Sequence, residues 1–188
     1  MKSLLKNAGL ALALVFTALS LNAQTKTENT VQVGGEAMYP MKNIVENAVN
    51  SKAHTTLVAA VKAAGLVETL QSAGPFTVFA PVNDAFENLP AGTVETLLKP
   101  ENKPTLTKVL TYHVVAGKFD FNALAAKLKK GENTLKTVSG GTLTFMMNGP
   151  RNIVVKDENG NVANINTYDI YQSNGVIHSV DAVLLPKM

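Results

Sequence analysis

Few residues in this chain could carry proton transfer or metal binding. His54, His113 and His178 are the side chains whose ordinary pKa lies near neutrality. The chain has no cysteine, which excludes a thiolate nucleophile, a thiolate zinc site, a disulfide and a lipid-modified cysteine. Asp157, Asn159 and Asn161 match the first three ligand positions of a calcium loop. The next position is Val162 instead of glycine, and the twelfth is Tyr168 instead of the bidentate glutamate, so the loop fails where geometry is strictest. The spacing instead predicts a polar turn around Asn159-Gly160. No Gly-x-Ser-x-Gly elbow, phosphate-binding Gly-rich loop or His-Glu-x-x-His is present. Ser179 and Asp181 flank His178, but strand neighbours do not make a Ser-His-Asp triad, which is assembled from separate segments.

The elements that carry these residues follow from apolar periodicity. Ile44, Val45, Ala48 and Val49 recur at helical spacing, as do Leu57, Val58, Val61 and Ala64, with Gly65 as a stop. His54 opens the second of these helices and is expected to be exposed. A short helix over Leu66–Leu70 follows. Phe76–Ala80 alternates as a strand and Pro81 ends it. Asn83 or Asp84 is expected to cap the next helix, Asp84 with Glu87 having the capping-box form. Thr93–Leu98 and Leu106–Thr111 continue the helical region, and His113 sits where it gives way to Val114-Val115. Asp120 is placed to cap a helix running to about Lys130, before Gly131.

Beyond Leu143 the period becomes two. Asn148-Gly149, Asn159-Gly160 and Asn174-Gly175 separate alternating apolar runs, the pattern of hairpins in an antiparallel meander. His178 shares a strand face with Val176 and Val180 and reads as a core residue. Helices first and strands later predict an α+β domain.

The N-terminus has the tripartite form of a secretory signal. Lys2 and Lys6 precede the apolar run Ala8–Leu19, and Ser20–Ala23 supplies a cleavage region. The run is shorter than the roughly 18 residues that span a bilayer. The expected organisation is a signal peptide over 1–23, a flexible leader over 24–38 and one domain over 39–188. The formal charge of +3 includes both signal lysines, so the mature chain is close to neutral. No Lys/Arg cluster is interleaved with aromatics, and the basic run Lys127–Lys130 suits a helix end, so nucleic acid is not an expected partner.

Two segments resemble the signature boxes of fasciclin domains: Gly74-Pro75-Phe76-Thr77-Val78-Phe79-Ala80-Pro81-Val82-Asn83-Asp84-Ala85-Phe86, and Asn174-Gly175-Val176-Ile177-His178-Ser179-Val180-Asp181. Tyr112-His113 lies between them, where that family carries a Tyr-His pair. The resemblance covers about Tyr39 to Pro186 and is closest to single-domain bacterial secreted members. It implies a wedge of two mainly antiparallel β-sheets flanked by helices of the N-terminal half. It marks Thr77, Phe79, Ala80, Pro81, Asn83, Phe86, Asn174, Gly175 and His178 as structural signature positions. It also implies an adhesion role. In some animal members integrin recognition is attributed to an Asp-Ile pair before the second box and to the Tyr-His region; Asp169-Ile170 and Tyr112-His113 occupy those places here. The chain departs from the family at Val82, where threonine is usual, and around Asp169-Ile170, where Thr167, Tyr168 and Tyr171 are unlike the animal motif.

The resulting expectation is an exported adhesion or extracellular binding module, monomeric or weakly oligomeric, without cofactor or catalysis, contacting a protein or glycan in the periplasm, on the cell surface or in the medium. A secreted small-ligand carrier, or a hydrolase using a pocket near His113 or His178, is the alternative. A pocket of convergent polar groups around a histidine would favour the alternative. Asp169 and Ile170 read either as part of a surface connection with apolar anchors or as an edge strand whose isoleucine points inward.

Overall fold

The structure is a computed structural model that describes residues 30–187. The expected signal peptide and the first part of the leader lie outside the described residues. Beyond them the leader expectation fails: Val31–Val33 (β1) and Glu36–Met38 (β2) form an antiparallel hairpin. Gly34 and Gly35 make its turn with φ of 62° and 80°, the conformation that a two-residue hairpin requires. Val33 and Met38 bury their side chains against the domain. The Gly-Gly pair between short apolar alternations was the local signal for this hairpin.

The helical region comprises α1 (Ile44–Ala48), α2 (Thr55–Ala64), α3 (Val67–Gln71), α4 (Asn83–Glu87), α5 (Thr93–Leu97) and α6 (Lys103–Tyr112). Gly65 ends α2 in the left-handed conformation, φ 74°, as its position predicts. The strand β3 (Phe76–Pro81) interrupts these helices, β4 (Val114–Ala116) follows them, and α7 (Phe121–Lys129) comes next, capped by Asp120 as expected. The chain then runs through β5 (Thr134–Lys136), β6 (Thr142–Met147), β7 (Ile153–Lys156), β8 (Val162–Gln172) and β9 (Gly175–Val180).

The order across the main sheet is β4-β3-β9-β8-β7-β6-β5. All neighbours are antiparallel except β3 and β9, which run parallel from Phe76↔Gly175 to Pro81↔Val180. The two signature boxes are therefore adjacent strands. The first residues of β8 pair with β7 and the rest with β9, with register shifts between Ile165, Thr167 and Ile170. These irregularities bend one long strand so that it serves both halves of the wedge. A bridge between Val115 and Thr137 brings the far edges together into a nearly closed barrel.

Both faces of β3 and β9 are covered, so their burial is continuous instead of alternating. Phe79, Val180, Tyr112, Leu143, Phe145, Val155 and Leu124 fill one core. Val78, Ala80, Ile177, Ile170, Ile44 and Leu70 fill a second core, under the N-terminal helices. The Asn-Gly pairs lie at hairpins, but only Gly149 and Gly160 adopt positive φ. The β8–β9 turn is Ser173-Asn174, and Gly175 already belongs to β9.

Candidate functional site

His178 lies at the centre of β9 with no exposed surface. Its Nε2–H donates to the Phe119 carbonyl at 2.8 Å, and its Nδ1 accepts from the Asp169 N–H at 3.3 Å. The ring stacks on Phe79 at 5.6 Å and meets the edge of Tyr168 at 5.9 Å. Burial lowers its pKa against the smaller opposing effects of the Phe119 carbonyl and of Asp169 and Asp120. It is a neutral core imidazole with both nitrogens occupied.

Asp169 and Ile170 both belong to β8, so the surface-connection reading is replaced by the strand reading. Ile170 is buried in the second core, because β8 pairs Ile170 with Ile177. Asp169 sits at the irregularity in that pairing with φ 57°, a conformation that aspartate tolerates better than most residues. Its Oδ1 accepts from the Phe121 N–H at 2.7 Å, at the first residue of α7. Asp120 Oδ1 accepts from the Ala123 N–H at 2.9 Å. Two carboxylates thus complete the helix start, where unpaired N–H groups and the helix dipole favour negative charge. Tyr171 donates its hydroxyl hydrogen to Asp120 Oδ2 at 3.2 Å, and Lys118 Nζ lies 4.6 Å from the Tyr171 ring centroid. Partial burial, then Asp169 and Asp120, push the Tyr171 pKa up to about 12.

Tyr112 and His113 are also buried. Tyr112 donates to the Thr142 carbonyl at 2.8 Å and accepts from the Glu158 N–H at 3.1 Å; burial pushes its pKa up to about 12. His113 donates from Nδ1 to the Val109 carbonyl at 2.8 Å and accepts at Nε2 from the Leu184 N–H at 3.0 Å. Burial lowers its pKa to about 4. The Tyr-His pair ties α6 to the C-terminal segment and to the β5–β6 and β7–β8 turns, and neither ring reaches the surface.

His54, expected at the surface, is buried. A 3-10 turn over Lys52–His54 carries it inward, and its ring lies between Ser51 Oγ at 2.9 Å and Ser179 Oγ at 3.2 Å. Desolvation lowers its pKa. Asn83 does not cap its own helix; Val82 stands at that cap, and the Asp84–Glu87 box is not formed. Asn83 Oδ1 instead accepts from the Thr56 N–H at 3.1 Å, serving the start of α2, while its Nδ2 donates to the Lys52 carbonyl at 2.8 Å. Thr77 Oγ1 donates to the Gly117 carbonyl and accepts from the Phe119 N–H. Asp157 organises its turn, accepting from the Asn159, Asn161 and Leu185 N–H groups and from Asn161 Nδ2. Its oxygens are engaged in the fold, and no group of three His, Cys, Asp or Glu among the described residues is disposed to hold a metal.

Asn174 joins more elements than any motif indicated. It accepts from the Ile44 N–H at 3.0 Å and donates to the Leu70 and Ser72 carbonyls at 2.8 and 2.9 Å, while its own carbonyl accepts from the Phe76 N–H at 3.0 Å. A Cβ on Gly175 would collide with the Phe76 carbonyl oxygen, and one on Gly74 with that of Asn174. The backbones of the two boxes are in direct contact. The fasciclin-domain family model matches residues 52–186. The chain belongs to the fasciclin-domain family.

This fasciclin domain is 46% identical to protein sll1483 of Synechocystis over 176 residues, 94% of the chain and 91% of that protein. It is 31% identical to the cell surface glycolipoprotein MPB83 of Mycobacterium bovis over 87% of the chain and 70% of that protein. It is 34% identical to transforming growth factor-beta-induced protein ig-h3 of Sus scrofa over 78% of the chain, spanning 20% of that protein. A solved FAS1 domain pair from the insect cell adhesion molecule fasciclin I superposes with a TM-score of 0.69 at 16% identity, over 78% of the chain and about half, 52%, of that structure; this likeness concerns the fold. No helix among the described residues of the fasciclin domain is long and apolar enough to cross a membrane.

The domain also contains a cavity of about 260 Å³ between the N-terminal helices and β3, β4 and β9. It touches His54 and His113, yet its walls are almost wholly carbon. The polar pocket that would have favoured a hydrolase is not what surrounds these histidines.

Proposed function

We propose that this fasciclin domain is an exported, non-catalytic binding module that contacts a protein or glycan at the cell surface or in the surrounding envelope. The observation that carries this reading is the occupancy of the histidines: His54, His113 and His178 each have both ring nitrogens engaged inside the fold. A general base must reach its substrate's proton with a free lone pair, and here the ring nitrogens are already taken up by partners inside the fold. One relative supports the setting, being named as a cell surface glycolipoprotein. The amino-terminal pattern of Lys2, Lys6 and Ala8–Leu19 supports export.

The test is attachment of the producing cells, and of isolated envelope glycan and protein fractions, to immobilised protein. Attachment to the native protein should exceed that to heat-unfolded protein and should saturate. Equal attachment to both forms would overturn the reading.

A further inference from the structure

The cavity under the N-terminal helices is bounded by Ile44, Leu57, Val61 and Leu70 on the helical side and by Val78 and Ile177 on the sheet side. Two of its lining side chains are apolar groups that the fold leaves in water, Val49 at 47% and Val138 at 48% exposure. Protein interiors normally close such voids, since lining atoms without partners forfeit dispersion contacts. A dry apolar cavity of about 150 Å³ is already enough to bind benzene, and this one is larger.

The wall chemistry restricts the occupant. The imidazoles of His54 and His113 are occupied as described, and the Thr111 hydroxyl donates to the Thr107 carbonyl at 2.7 Å. A peptide segment entering in extended form would bury N–H and C=O groups without partners, which is costly. A hydrocarbon has no such requirement. Among the described lining residues Lys62 is the one charged side chain, and it is exposed, as is Thr69. A polar end, where a ligand has one, belongs beside these exposed groups.

We propose that this cavity is a binding site for a small hydrophobic molecule, aliphatic or aromatic, of about ten carbons. The site is independent of any protein or glycan contact made by the outer surface. It differs from a polar histidine pocket in that recognition comes from shape and desolvation alone.

The test uses the purified protein and 1-aminonaphthalene, a ten-carbon fluorophore whose blue-side emission rises on leaving water for hydrocarbon surroundings. Saturable one-to-one enhancement, displaced by 1-decanol, is expected. The melting temperature should rise with 1-decanol concentration, because a ligand of the folded state alone stabilises it. Val58→Phe and Val61→Phe place a ring in the void and should weaken probe binding at least about tenfold while leaving the melting temperature unchanged or higher. No saturable enhancement, or undiminished binding by the folded phenylalanine variants, would overturn the proposal. Should both variants fail to fold, the melting experiment on the unaltered protein decides, and no rise with 1-decanol overturns it.

Discussion

The Asn174 side chain accepts a hydrogen bond from the Ile44 N–H at 3.0 Å, across 130 positions of sequence. The same amide donates to Leu70 and Ser72, so one side chain holds the start of α1, the end of α3 and the β8–β9 turn together. Asn174→Ala removes three bonds at a buried site and strands their partners. Unpaired buried groups cost about 1–3 kcal/mol, so the substitution should lower stability by about 3 kcal/mol. Urea unfolding measures this, and a loss below about 1 kcal/mol would show that water replaces the amide without penalty.

Gly175→Ala should be among the most damaging single-methyl changes. Gly175 does not have positive φ; its requirement is steric, the Phe76 carbonyl oxygen occupying the space of a Cβ. Separating β3 from β9 should cost about 3 kcal/mol. Gly149→Ala is the control: its φ of 89° is unfavourable for alanine, but nothing lies within 4 Å, and about 1 kcal/mol is expected. Equal losses at the two positions would show that conformation, and not close approach, governs Gly175.

Asp169→Ala should destabilise the domain by about 1–2 kcal/mol, because it removes the acceptor for the Phe121 N–H and places alanine at φ 57°. Asp169→Asn keeps an acceptor and a tolerance for that conformation and should cost less than about 1 kcal/mol. Thermal unfolding of both variants distinguishes this helix-start role from a surface binding role, in which neither change would move the midpoint.

Acid should weaken the fold through its histidines. His113 has a folded pKa of about 4, below its ordinary 6.5, and His54 and His178 are lowered too. Below pH 6.5 the unfolded chain binds protons that the folded chain refuses. The stabilisation is therefore complete above pH 6.5 and is lost as pH falls towards 4. For His113 alone it amounts to about 3 kcal/mol. Denaturant unfolding between pH 7.5 and 4 should show this decline, and His113→Gln should flatten it. A decline equally steep in His113→Gln would assign the effect to other groups.

Local chemistry was legible from the residues themselves. The alternation of Phe76–Ala80, the helical spacing of Leu57–Ala64 and the Asp120 cap each depend on neighbours within a few positions, so the sequence carries their signal directly. Val176, His178 and Val180 on one strand face were enough to place His178 in the core. The paired boxes pointed to the family, and the family model matches the stretch that contains them.

Tertiary structure alone decided what those residues touch. Asn83 has the type of a cap for its own helix, yet serves α2, since only the folded chain brings Thr56 to it. His54 looked exposed at a helix start, but Ser179 on β9 receives its ring. Asp169-Ile170 had the composition of an interface; the strand irregularity that turns Ile170 inward and Asp169 onto α7 arises from pairing with β9. The cavity is a property of how helices and sheet fit, and a volume left between distant segments has no counterpart in the order of residues along the chain.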